Sequence, residues 1–209
     1  EPIRDAIGRR TVHQSERSMG DHRTARGGVM TGQVRLTVDE MGTLRQAASA
    51  RQARNDQAQS VDKMIARGDS YDPIGLHLMG LMGEYALLVK LFGLPYSEDY
   101  FVRDQWAKTH DFEINGVRGE IRTRTHARYS FYNLTAQMRS DVGVAAYLVD
   151  GKTSTGRVAF GGWLTKEPFD QHSYVARDRH PGWKGNGYLI HSRHLEPIRT
   201  LPEYIRGRC

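Results

Sequence analysis

Asn115-Gly116, set between two short segments that alternate apolar and polar residues, constrains this chain more than any other feature. A type I′ turn needs positive φ at both central positions, which Asn and Gly tolerate best, so the dipeptide predicts a tight hairpin joining residues 111–114 to 117–124. The turn also sets the register: Ile114 falls opposite Val117, Glu113 opposite Arg118, Phe112 opposite Gly119 and Asp111 opposite Glu120. Side chains alternate along a strand, so Asp111, Glu113, Arg118, Glu120 and Arg122 share one face, and Phe112, Ile114, Val117 and Ile121 share the other.

The apolar face is suited to packing and the acidic one to chemistry. Opposed Cβ atoms lie ~5 Å apart, which lets Asp111 and Glu120 offer oxygens to one Mg²⁺ or Mn²⁺ ion at ~2.1 Å. Opposed carboxylates destabilise a hairpin unless a cation offsets them, and either a metal or Arg122 has to do so. The plainer alternative is an ordinary polar sheet face neutralised by Arg118, Arg122 and Arg124.

Helices precede this sheet. Thr37-Val38-Asp39-Glu40 has the capping-box form, with Leu36 placed to staple onto Met41, and predicts a helix running to about Arg67 before Gly68, with a break near Asn55 and Asp56. Its Arg45, Arg51 and Arg54 form either a basic face or an ordinary solvated one. Asp72-Pro73 opens a second helix, Ile74 to Phe92, closed by Gly93 and Pro95. That helix is apolar almost all round and therefore buried, so Glu84 within it must find a cation, a hydrogen-bond donor or the edge of a cleft. Further strands are expected over residues 129–137, 144–149, 157–164 and 187–191. The fold class is thus α/β, with a long N-terminal helix and a second helix leading into a sheet. Residues 1–29 form a basic arm or a leader ahead of Met30, and 30–209 form one domain.

Thirty Lys and Arg against 24 Asp and Glu give a net charge of +6, which favours polyanionic partners. Cys209 is the only cysteine, so no internal disulfide and no Cys-rich zinc site can form, and a reducing cytoplasm is expected. Leu76 to Leu94 is interrupted by His77, Glu84 and Lys90, so no transmembrane helix is expected. Arg122, Arg124, Arg128 and Arg139, interleaved with Tyr129, Phe131 and Tyr132, can clamp phosphates and stack bases, the aromatics otherwise serving as core. His126 is a candidate for phosphate contact or proton transfer, a structural role being the more common one. Zinc at His172, His180, His191 and His194 is disfavoured, because along a strand positions three apart point to opposite faces. Gly151-Lys152-Thr153 lacks the earlier glycine of a P-loop, which Ala146 replaces, and reads as a hairpin turn.

Asp111 followed by Glu120-Ile121-Arg122 on the next strand resembles the motif of the PD-(D/E)XK nuclease superfamily. Gly83-Glu84 on the helix ahead of the hairpin, Glu120 to Arg124 and Gly162-Trp163-Leu164 are similar to a group of phage-associated members, over roughly residues 74 to 200. The resemblance implies a restriction-endonuclease-like mixed sheet flanked by helices and metal-dependent hydrolysis of phosphodiester bonds, DNA before RNA. It makes Asp111 and Glu120 ligands of Mg²⁺ or Mn²⁺ and has Glu84 bind the metal directly or through water, with Glu113 in reserve; Arg118, Arg124, Arg128, Arg139 and Tyr129 are the residues expected to meet the nucleic acid. Arg122 stands where the family usually has Lys. A guanidinium keeps its proton, so it can orient water or steady a phosphate but cannot act as a base. The alternatives are a catalytically silent nucleic-acid-binding protein on the same scaffold and a phage structural or assembly protein, with a homodimer among the expected assemblies and the cytoplasm, the host's for a phage protein, as the site of action. His110-Asp111 has the residue pair of helical HD-type phosphohydrolases but leads directly into a strand, which sets that reading aside.

Overall fold

The computed structural model describes residues 32–57, 72–97, 101, 110–125, 131–133, 137–175, 178 and 187–208. In chain order the elements are β1 (Gln33–Arg35), α1 (Val38–Gln57), α2 (Pro73–Tyr85) with a π-helical continuation Ala86–Leu91, β2 (Phe112–Ile114), β3 (Val117–Arg124), β4 (Phe131–Asn133), β5 (Val142–Leu148), β6 (Arg157–Thr165), α3 (Lys166–His172), β7 (Tyr174–Val175), β8 (Tyr188–Ile190) and α4 (Leu201–Arg206). The chain is a mixed α/β protein. Its main sheet runs β1-β6-β5-β3-β2, and a smaller one runs β4-β8-β7.

The hairpin forms as the turn dictates. Asn115 and Gly116 take φ of 51° and 73°, and the pairs are Ile114 with Val117, Glu113 with Arg118, and Phe112 with Gly119. β3 then runs parallel to β5, with Glu120 beside Gly143 and Arg122 beside Ala145, so a crossover containing β4 separates them. All other pairings in the main sheet are antiparallel. Residues 149–156, including Gly151-Lys152-Thr153, form the turn between β5 and β6. β1, an edge strand on β6, was not expected from the sequence, where three residues carry too short an alternation to register.

Alternation along β5 divides the interior into two. Val142, Val144, Ala146 and Leu148 join Leu44, Ala47, Ala48, Leu81, Met82 and Leu87 of the two helices in one cluster. Ala145 joins Phe131, Met138, Leu164, Phe169 and Ile190 in a second, on the other face. Each fully buried leucine contributes ~1.5–3 kcal/mol, so the helical face carries most of the stabilisation.

The capping box at Thr37 closes in both directions, Thr37 N–H donating to Glu40 Oε2 (2.7 Å) and Glu40 N–H to Thr37 Oγ1 (3.3 Å). Leu36 and Met41 are both buried. Lys90 Nζ lies 2.5 Å from Glu40 Oε1, to which the Tyr85 hydroxyl also donates (3.0 Å), tying the start of α1 to the end of the second helix. Burial, then the bond to Glu40, push the Tyr85 phenol up to about 12, so it remains a protonated donor. The expected extension of α1 through residues 58–67 to Gly68 lies outside the described residues.

α2 starts at the expected cap, Asp72 accepting from Ile74 N–H (3.1 Å), and the helical stretch ends at Gly93 with φ of 68°. The difference from expectation is the π-helical last part, where Phe92 N–H reaches Leu87 O (3.0 Å). By length and composition alone Pro73–Leu91 is apolar enough to cross a bilayer, and half of it is buried inside this fold. Its apolarity is explained by packing between α1 and the sheet.

Gly83 sets how closely α2 approaches β3: a Cβ there would meet Thr123 Oγ1 at 1.9 Å and Thr123 Cβ at 3.1 Å. Gly42 in α1 faces open space. In chemical denaturation Gly83→Ala is therefore expected to lose ~1–3 kcal/mol through overpacking, whereas Gly42→Ala gains up to ~1 kcal/mol from helix propensity.

Candidate metal centre and nucleic-acid face

β3 outruns β2, and the unmatched length is where the acids gather. Gly119 and Ile121 direct their backbone groups toward β2, but pairing stops at Phe112 with Gly119. Asp111 N–H bonds Gly119 O (2.8 Å), and Asp111 Oδ2 accepts from Ile121 N–H (2.7 Å). A carboxylate thus stands where the next strand carbonyl would be. The direct opposition of Asp111 to Glu120 expected from the turn is replaced by this edge position, with the Asp111 carboxylate one peptide unit from Glu120. The cause is that β2 ends one residue early.

Glu120 lies inside the sheet and is only 7% exposed. Ser140 Oγ, from the end of the crossover, donates to Glu120 Oε1 (3.0 Å), and Arg122 Nη2 lies 2.5 Å from Oε2. Both carboxylate oxygens are therefore held by protein donors, one neutral and one charged. Glu120 and Arg122 share a face as alternation requires. Ser140 was missed by the sequence reading, because its approach depends on the parallel docking of β5 on β3. Asp141 completes that docking: its N–H donates to Arg118 O (2.8 Å) and its Oδ2 accepts from Arg118 N–H (2.9 Å).

Glu84 is placed elsewhere. It forms a two-pronged pair with Arg51 of α1, Nη2 to Oε2 at 3.0 Å and Nη1 to Oε1 at 3.3 Å, with both side chains only 6% exposed. Arg51 Nε also donates to Phe101 O. The cation that the sequence demanded for Glu84 is thus an internal arginine, and Arg51 belongs to the buried interior rather than to a basic face. The signal was present: Leu44, Ala47, Ala48 and Arg51 fall at i, i+3, i+4 and i+7, so Arg51 continues the buried stripe of α1.

Glu113 is over half exposed and pairs with His110 at 3.5 Å. Arg118, half exposed, pairs with Asp141 at 3.5 Å. Arg124 is partly exposed at the end of β3, and Arg139 is exposed just before Ser140. Phe131 is fully buried, packed edge-on against Phe169, and serves as core rather than as a base-stacking platform. Arg128, Tyr129, His126 and His180 lie outside the described residues, as do residues 1–29 and Cys209 and the side chain of Tyr132. His172 and His194 stack face to face at 4.4 Å, which suits ring contact rather than shared ligation. Burial, then His172, Arg193 and His191, hold the His194 imidazole below its usual pKa. Gly162 and Trp163 are structural. A Cβ at Gly162 would meet Glu196 O at 2.5 Å, and Trp163 Nε1 donates to Thr200 Oγ1 (2.9 Å).

Among the described residues, no group of three or more His, Cys, Asp or Glu side chains is arranged to hold a metal. Mg²⁺ asks for less than that, since it is commonly held by one or two carboxylates with water and substrate phosphate filling the octahedron. Asp111, just ahead of β2, and Glu120 on β3 carry hard oxygens of the kind Mg²⁺ takes. Glu84, expected in the same set, is paired with Arg51.

The division of roles is testable through stability. Breaking the buried pair by Glu84→Gln is expected to cost ~3–5 kcal/mol in urea unfolding, whereas Asp111→Asn, which keeps an acceptor for Ile121 N–H, should cost under ~1 kcal/mol. Near-equal losses would contradict the assignment of Glu84 to structure and Asp111 to the site. Compared with family models, curated proteins and solved structures, the chain matches none of them.

Proposed function

We propose that the chain is a divalent-metal-dependent deoxyribonuclease of restriction-endonuclease-like fold, with its centre at Asp111, Glu120 and Arg122. One observation carries the reading: the Asp111 carboxylate is anchored to the Ile121 N–H, within a peptide unit of a buried Glu120 that has a positioned hydroxyl on one oxygen and an arginine on the other. An ordinary polar sheet face does not need an acid buried to this degree.

The residues divide the work by chemistry. Asp111 and Glu120 supply the hard oxygens for Mg²⁺ or Mn²⁺. The bound cation would lower the pKa of a water and offset charge growing on phosphorus. Ser140 holds Glu120 in one orientation, while Arg122, which cannot accept a proton, steadies the phosphate. Arg118, Arg124 and Arg139 contribute positive charge on the approach to the site, and a DNA-processing enzyme of this type belongs in the cytoplasm.

A second reading is favoured by one specific observation. Glu120 is balanced by Arg122 and Glu84 by Arg51, so both buried acids among the described residues already have a cation. A protein that binds DNA without cutting it would look the same in this respect. Incubation with linear, circular and single-stranded DNA in Mg²⁺, Mn²⁺ or EDTA separates the two. The nuclease reading expects metal-dependent cleavage that Glu120→Ala lowers at least ~100-fold and that Arg122→Lys preserves or increases. Salt-sensitive binding with no cleavage in either metal would select the silent scaffold instead.

A further inference from the structure

We propose that Arg122 couples metal entry to DNA binding: in the free protein its guanidinium closes Glu120, and it leaves that carboxylate for a DNA phosphate when the cation arrives. The inference rests on the nuclease reading and adds a regulation of the same site.

The geometry leaves little choice of oxygen. Ser140, itself 1% exposed, fixes Oε1, so Oε2 is the lobe open to exchange. Arg122 Nη2 lies 2.5 Å from it, and the arginine side chain is 36% exposed, enough for its head to turn outward while its stem remains on the sheet. A dication and a guanidinium compete for this one oxygen, and the arginine cannot escape by losing its proton. Metal binding to the free protein therefore has to displace a charge-assisted bond and leave a cation beside a cation. A phosphodiester resolves both problems, because it accepts the fork of the guanidinium and presents a further hard oxygen to the metal. Binding linkage is reciprocal, so whatever factor DNA adds to metal affinity the metal adds to DNA affinity. The metal is thereby kept weakly held until a substrate is present.

The test is a binding measurement rather than turnover. Mn²⁺ affinity is followed by electron paramagnetic resonance, with and without a short phosphorothioate DNA duplex, and DNA affinity by fluorescence anisotropy, with and without Mn²⁺, at constant ionic strength. The expected result is that DNA tightens Mn²⁺ binding at least ~10-fold, and that Mn²⁺ tightens DNA binding by the same factor. Arg122→Gln is expected to bind Mn²⁺ more tightly than the unaltered protein when DNA is absent, and to lose most of the coupling. The charge-matched Arg206→Gln on α4 should behave as the unaltered protein does. Mn²⁺ binding indifferent to DNA, or unimproved by Arg122→Gln, overturns the coupling, and cleavage by the same protein would leave the nuclease reading intact. Absence of Mn²⁺ binding with and without DNA overturns both.

Discussion

A carboxylate buried in a central strand has to be balanced, and Glu120 sets the terms for its surroundings. Leaving an ionised acid in a sheet without partners is very costly. The fold meets that cost with two donors from different places: Ser140, brought in by the crossover, and Arg122, two residues along the same strand. The first is possible only because β5 docks parallel to β3, with Asp141 clasping Arg118 at the junction. The topology of the sheet and the state of this one side chain are therefore linked.

The two buried acids among the described residues show opposite solutions to the same problem. Glu84 is sealed between α1 and α2 against an arginine whose side chain is as buried as its own, and that arginine also anchors the carbonyl of Phe101. Such a pair holds structure together and has little freedom to exchange partners. Glu120 is paired instead with an arginine that reaches solvent. An exchangeable counter-ion is what a site that admits a metal and a phosphate requires, and a fixed one is what a core requires.

Local chemistry made much of this legible. Asn115-Gly116 implied the turn and the first three pairs of the hairpin, and Asp72 with Gly93 marked the ends of the apolar helix, because each depends on φ preferences or capping within a few residues. The demand of Glu84 for a cation was legible, and its donor was too, in the spacing that places Arg51 on the buried stripe of α1. Other features depended on distant partners. Ser140 reaches Glu120 across twenty positions of sequence, β1 is defined only by the strand it joins, and the Asp111 carboxylate reaches Ile121 because β2 stops at Phe112. Glu84, expected at the metal, is held by Arg51 instead, and the face of α2 that it occupies is set by packing against α1.

The most direct measurement of the central claim is the anomalous scattering of crystals grown with Mn²⁺ and a DNA duplex. The account predicts one or two peaks between the carboxylates of Asp111 and Glu120, with Arg122 turned onto a phosphate and Glu84 still paired with Arg51. A peak at Glu84, or Mn²⁺ absent from Glu120 while Arg122 remains on its carboxylate with DNA bound, would contradict it.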